Sequence, residues 1–199
     1  CLDKRLSDFA LENEVGGFEF LACIPGTVGG GLKMNAGCFN SEFKDILISI
    51  QVIDKEGRVL TIPANKVIFK YRSNDLPDNL IFLSASFKSE KKNKDEIIKK
   101  VIEFKNRKDG TQPVKIKTSG STFKNPINQT DKKAWQLIKE SVPLDTNFGD
   151  AYISDKHCNF FVNKNNATFD DMSKLIKFVQ EAVKKKTGII LEKEIKILE

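Results

Sequence analysis

Residues 17–37 read GFEFLACIPGTVGGGLKMNAG, and half of the chain's 12 glycines fall within them. Glycines this dense let backbone N–H groups approach an anion or a flat ring with no Cβ in the way. Pro25 and Thr27 stiffen the segment, which reads as a loop. A bare glycine cluster is more often a structural turn than a binding site. This one is no Walker loop, since no Gly-Lys-Ser/Thr follows, and no GxGxxG dinucleotide fingerprint.

Upstream, Leu2, Leu6, Phe9 and Ala10 recur at helical spacing and predict an amphipathic helix over 2–14. Downstream, Ile48, Ile50 and Val52 alternate, and a second apolar run covers Val59 to Ile62. Lys55-Glu56-Gly57 supplies turn chemistry between them, which predicts a hairpin. Leu80 to Phe87 reads as a further strand. The polar segment from Lys88 to Lys94 carries no apolar residue and is the natural boundary. Beyond it, helices are expected over 95–107, 131–140 and from Thr168, where Asp171 completes a capping box. Strands are expected at Cys158–Val162 and Ile189–Leu198. The class is α+β, with domains at 1–90 and 91–199.

Composition narrows the function classes. The chain has 199 residues, a net charge of +6 and a pI near 9.0. Such a balance favours anionic partners, but Asp and Glu interrupt the lysine runs. No basic stripe interleaved with aromatics is present, so no nucleic-acid partner is expected. No apolar run approaches the length of a membrane span. The spacings of Cys1, Cys23, Cys38 and Cys158 suit neither a zinc site nor a compact disulfide framework, so no metal is expected and reduced thiols of a cytoplasmic protein are the simplest reading.

Four more segments could carry chemistry. Tyr71-Arg72-Ser73 offers a planar guanidinium that can grip a carboxylate with two hydrogen bonds. Ser119-Gly120-Ser121-Thr122-Phe123-Lys124-Asn125-Pro126 could present a hydroxyl from a tight turn, although such residues favour turns anyway. Residues 150–163 contain His157, the only histidine, together with Asn159. In Leu191-Glu192-Lys193-Glu194-Ile195, strand geometry would put Glu192 and Glu194 on one face and Leu191 and Ile195 on the other.

Together these segments resemble the UDP-N-acetylenolpyruvoylglucosamine reductase family. Residues 17–37 are similar to its flavin signature, Tyr71-Arg72 to its Tyr-Arg motif, 119–126 to SAGSxFKNP, 150–163 to GGAxVSxKHANFIVN, and 191–195 to LEPEV. The resemblance implies the rest of a vanillyl-alcohol-oxidase/PCMH-like FAD-binding domain, followed by a smaller α/β substrate-binding domain. The last dozen or so residues would return to the active site. It implies that Ile24, Pro25, Gly26, Thr27, Gly29, Gly30, Asn35, Ala36 and Gly37 line FAD. Arg72, Ser121 and Glu194 would be catalytic. Tyr71, Lys124, Asn125 and Asn159 would bind substrate. Cys23 and Gly31 depart from the family's usual Gly and Ala, with little consequence expected. Ser73 comes one place earlier than the family's Ser, Asp150 stands for a Gly, and Lys193 for a Pro.

The implied activity is reduction of UDP-N-acetylglucosamine enolpyruvate to UDP-N-acetylmuramate with FAD and NADPH, a step in peptidoglycan synthesis. The family also carries an upstream segment of very roughly 90 residues with a glycine loop for the FAD pyrophosphate. Without it this chain is expected to bind FAD poorly, and that segment is an expected partner. Three other readings stay open: a non-catalytic remnant, a general anion-binding module, and an FAD oxidase that shares the flavin domain.

Overall fold

A computed structural model describes residues 1–113 and 116–198. The chain forms two compact units, Cys1–Lys108 and Asp109–Glu199.

In the first unit, helix α1 spans Asp3–Glu12. Its buried positions are Asp3, Ser7 and Ala10, at i, i+4 and i+7 as for one helix face. Leu2 and Phe9 are exposed, so the packed face is rotated from the purely apolar stripe expected from sequence. Small side chains serve here because α1 packs closely on the tight turn Glu19–Cys23. Asp3 is buried, and neither carboxylate oxygen has a hydrogen-bond partner among the described residues. Burial pushes its carboxyl up to about 6, against a smaller downward pull from the N-terminal ammonium.

The glycine segment is not wholly a loop. Val28–Lys33 forms a short helix, α2. Thr27, in extended conformation, caps it: its hydroxyl accepts from the Gly30 N–H at 3.2 Å. The Asn74 carboxamide donates to the carbonyls of Leu32 and Lys33, both at 3.0 Å, and satisfies the other end. Caps at both ends offset the low helix propensity of three glycines. Phe43 opens the next helix, α3 (Phe43–Ile46), and its ring is fully buried against α2. A Cβ on Gly31 would lie 2.1 Å from Phe43 Cε2. Gly31 is therefore not interchangeable with the family's usual Ala in this chain, because Phe43 already fills that space.

The hairpin strands are β1 (Leu47–Ile53) and β2 (Val59–Pro63), and β3 (Ile81–Phe87) completes an antiparallel sheet in the order β2-β1-β3. Ile50 and Val52 of β1 enter a core with Phe18, Phe20, Leu21 and Leu32. Helix α4 (Lys94–Thr111) adds Phe104 to that core, and the Phe39 ring stacks on Phe104 at 4.6 Å. Lys108 donates to the Cys23 carbonyl at 2.8 Å. The break therefore falls at 108/109 rather than at the 90/91 suggested by composition. The polar run at 88–94 is a surface connection, and the helix after it belongs with the first core.

In the second unit, β4 (Thr118–Ser121), β5 (Asn147–Phe148), β6 (Ala151–Ile153) and β7 (Phe160–Asn163) make an antiparallel sheet in the order β4-β7-β6-β5. Helices α5 (Ala134–Ser141) and α6 (Phe169–Thr187) contribute Leu137, Ile138, Leu175, Ile176, Val179 and Val183 to its core, which also holds Phe123, Ile153 and Phe161. The capping box is formed: the Thr168 hydroxyl accepts from the Asp171 N–H at 3.1 Å, and the Asp171 carboxylate accepts from the Thr168 N–H at 2.9 Å. The strand expected over Ile189–Leu198 is not continuous. Only Lys193 forms a bridge there, to Phe123, and several neighbouring backbone groups pair with side chains instead. Among the described residues no helix is long and apolar enough to cross a membrane.

Two predictions follow from this packing. Gly31→Ala costs about 1–3 kcal/mol of unfolding free energy, and pairing it with Phe43→Leu loses less than the two single changes summed, as read from a denaturation double-mutant cycle. Asp3 titrates at 3.8 when unfolded and at about 6 when folded. Its folded-state advantage is thus complete below pH 3.8 and is lost as pH rises through 6. Relative to Asp3→Asn, the natural protein should lose on the order of 2 kcal/mol between pH 4 and pH 7, measured by urea unfolding across that range.

Candidate active-site residues in each unit

In the first unit the glycine segment and the Tyr-Arg turn come together. The side chain of Asn35, fully buried, donates to the Glu42 carboxylate at 2.9 Å and the Lys70 carbonyl at 3.2 Å, and accepts from the Lys44 N–H at 3.1 Å. It thereby ties Met34-Asn35-Ala36-Gly37 to the hairpin of Phe69–Lys70 and Ser73–Asn74, whose turn is Tyr71-Arg72. Arg72 sits in left-handed backbone, φ 56°. That conformation is costly for a residue with a Cβ, and such strain concentrates at functional positions. Its guanidinium donates to the Gly37 carbonyl at 3.2 Å and lies 4.9 Å from the centre of the Tyr71 ring. Arg72 and Tyr71 therefore lie against the end of the glycine segment, both half-buried.

Pro25, Gly26, Thr27 and Gly30 are exposed, while Ile24, Gly29, Ala36 and Gly37 are half-buried. The exposed stretch presents backbone and small side chains, as a flat ring requires. Asn35 has its polar side-chain atoms engaged within the protein, so it holds the segment in shape. At Gly37 a Cβ would meet the Ser41 carbonyl at 2.3 Å, and any larger residue would push this turn apart.

In the second unit Ser121, Lys124, Asn125, Asn159 and Glu194 belong to one arrangement. The tail runs antiparallel to 122–124: the Lys124 N–H donates to the Glu192 carbonyl at 2.9 Å, and the Glu194 N–H to the Thr122 carbonyl at 2.8 Å. Glu194 is thus brought alongside the residue that follows Ser121. The opposite edge is held by residue 159. The Thr122 N–H donates to the Asn159 carbonyl at 2.7 Å. The Asn159 carboxamide accepts from the Phe123 N–H at 3.0 Å and donates to the Phe123 carbonyl at 2.8 Å. Asn159 is buried, and its amide clamps this strand.

Asn125 accepts from the Ala134 N–H at 3.0 Å and so satisfies the first turn of α5. The Lys124 ammonium lies 3.6 Å from the Glu192 carboxylate. His157 accepts from the Asn159 N–H at 3.3 Å, and burial holds its imidazole below the usual range. Asp150, in place of the usual Gly, accepts from the Asn166 N–H at 3.1 Å and braces the loop before α6.

Sequence reasoning missed Gln129 and Gln180, whose amides hold the tail. Neither falls in a recognisable motif, and their partners are sixty-one and eleven residues away in the chain.

Comparison with known proteins agrees with both units. Residues 3–63 match the family model described as FAD binding domain, and residues 112–198 match that of the UDP-N-acetylenolpyruvoylglucosamine reductase C-terminal domain. The chain is 76% identical over 198 residues to the UDP-N-acetylenolpyruvoylglucosamine reductase of Pelagibacter ubique (strain HTCC1062), covering 100% of this chain and 66% of that relative. It is 45% identical over 196 residues to the enzyme of that name from Rickettsia conorii, covering 98% of this chain and 65% of that relative. The chain thus spans slightly less than two thirds of the length of these curated relatives. The crystal structure of UDP-N-acetylenolpyruvylglucosamine reductase (MurB) from Thermus caldophilus superposes with a TM-score of 0.86 at 33% identity, over 98% of this chain and 69% of that one. By likeness of sequence and of structure, the chain belongs to the UDP-N-acetylenolpyruvoylglucosamine reductase family.

Proposed function

We propose that the chain carries the catalytic residues of an FAD-dependent, NADPH-linked reductase of UDP-N-acetylglucosamine enolpyruvate that acts in the cytoplasm in peptidoglycan precursor synthesis. The observation that supports it most is the pairing of the tail with residues 122–124, which brings Glu194 beside the strand of Ser121. A carboxylate is among the side chains that move protons in enzymes, and a hydroxyl can hand on the proton it carries.

The residues fit a flavin: the Pro25-Gly26-Thr27 turn offers exposed backbone, and Arg72 borders the far end of the same segment. When bound, FAD would supply hydride for the enolpyruvyl double bond, with NADPH as the source of electrons. The chain's own residues do the rest. The guanidinium of Arg72 grips the enolpyruvyl carboxylate and offsets the negative charge that builds toward it. Ser121 gives its hydroxyl proton to C2, so that hydride and proton together saturate the double bond. A serine hydroxyl is a weak acid, and Glu194 orients the group and stabilises the enol form. Tyr71, Lys124 and Asn125 serve substrate binding. Thr27, with Ile24, Gly29, Gly30, Ala36 and Gly37, forms the flavin-facing surface.

About a third of the relatives' length lies outside the stretch matched by this chain, and the proposal holds for protein that includes such a segment. Joined to it, the chain should show flavin absorbance and oxidise NADPH at a rate that depends on UDP-N-acetylglucosamine enolpyruvate. Well-folded protein that takes up no flavin, or oxidises NADPH regardless of that substrate, contradicts the reading. In stopped-flow measurements, Ser121→Ala should slow reoxidation of reduced flavin by substrate about 10²–10⁴-fold, and Glu194→Gln about 10²-fold. Neither should alter the preceding reduction by NADPH.

A further inference from the structure

Glu194, whose N–H pairs with the carbonyl of Thr122 next to Ser121, lies on a segment held by few backbone bonds among the described residues. Among the described residues after α6 the backbone shows the bridge of Lys193 to Phe123, flanked by the bonds at Glu192 and Glu194. A segment that is not a continuous strand can slip in register unless side chains tie it down. Slippage would matter here more than in most strands. Side chains alternate between faces, so a one-residue shift exchanges the two faces. The neighbours of Glu194 are Lys193 and Ile195. A slip would thus place an ammonium or an alkyl group where the carboxylate belongs.

Two glutamine side chains oppose that slip. Gln129 lies in the turn after Pro126, and its carboxamide pairs with the backbone of Ile190 in both directions. It donates to the Ile190 carbonyl at 2.9 Å and accepts from the Ile190 N–H at 3.0 Å. Gln180, on α6, donates to the Leu191 carbonyl at 2.7 Å. Leu191 itself is buried in the core. These bonds fix consecutive residues, 190 and 191, just ahead of the bridge. Each amide anchors the tail to a different element, one to the loop that carries Lys124 and Asn125, the other to the last helix. A paired amide reads the backbone at a single register, as a strand partner would.

We propose that Gln129 and Gln180 are positioning residues for the reduction step: they set the register of residues 190–194 and thereby keep Glu194, rather than Lys193, opposite Thr122, the residue that follows Ser121. The inference rests on the reductase reading above. The two glutamines act through the backbone of the tail, and the loss of either loosens a position on which proton delivery depends.

The test uses the flavin-loaded full-length protein. Gln180→Leu removes one anchor. Gln129→Glu is nearly isosteric at an exposed position, so it keeps the fold while replacing the donating amide with an acceptor. Each variant should exchange the Glu194 and Lys124 amide hydrogens faster than the parent. Each should slow flavin reoxidation by substrate about 10- to 100-fold, with reduction by NADPH unchanged. On a Glu194→Gln background the same changes should slow that step little further. Unchanged amide protection overturns the proposal, as does faster exchange with an unslowed step, or an equal slowing with Glu194 already replaced. A parent that turns over no substrate overturns the reductase reading itself, and with it the catalytic half of the proposal, while the exchange rates still decide whether the two amides lock the register.

Discussion

The second unit depends on a strand gripped from both edges. Residues 122–124 give their backbone groups on one side to Asn159 and on the other to Glu192 and Glu194. Buried backbone groups must be paired, and here the pairing also decides which residues lie opposite Thr122, next to Ser121 in the chain. The buried Asn159 amide makes this grip specific, because both of its bonds go to one residue, Phe123. Leaving such a pair unmade in the core costs more than the bonds contribute when formed. The same bonds that satisfy the core thus arrange the chemistry.

In the first unit, order comes from filling space around a backbone that has few side chains of its own. Phe43 packs where a Cβ on Gly31 would be, and Asn35 ties the end of the glycine segment to the Tyr-Arg hairpin. Arg72 keeps a left-handed backbone there, with its guanidinium on the Gly37 carbonyl. A strained residue persists only where its surroundings hold it, and the buried Asn35 network is the nearest such support. Shape in this unit therefore comes from neighbours more than from the intrinsic preference of the glycines.

Much of this could be read in the chain itself. Strong periodicity and a complete capping box marked α6, and alternation marked the hairpin of β1 and β2, because those signals are local. Other features depend on distant partners. Val28–Lys33 became a helix through Thr27 and Asn74, the latter more than forty residues away. The tail lacked a continuous strand because side chains took several of its backbone groups. Helix α4 joined the first core through Phe39 and Cys23, contacts that composition does not register. The motif residues Arg72, Ser121 and Glu194 were identifiable by likeness. Gln129 and Gln180 were not, since an amide that pairs with backbone needs no motif. The role of Asn159 also became plain only from its bonds.

The most direct test of the account is the position of the enolpyruvyl group in a crystal structure of the flavin-loaded protein with its substrate. The account predicts the Ser121 hydroxyl oxygen within about 3.5 Å of C2, with the Arg72 guanidinium on the substrate carboxylate and the Glu194 carboxylate beside the same group. An enolpyruvyl group bound away from Ser121, with Glu194 facing solvent, would contradict it.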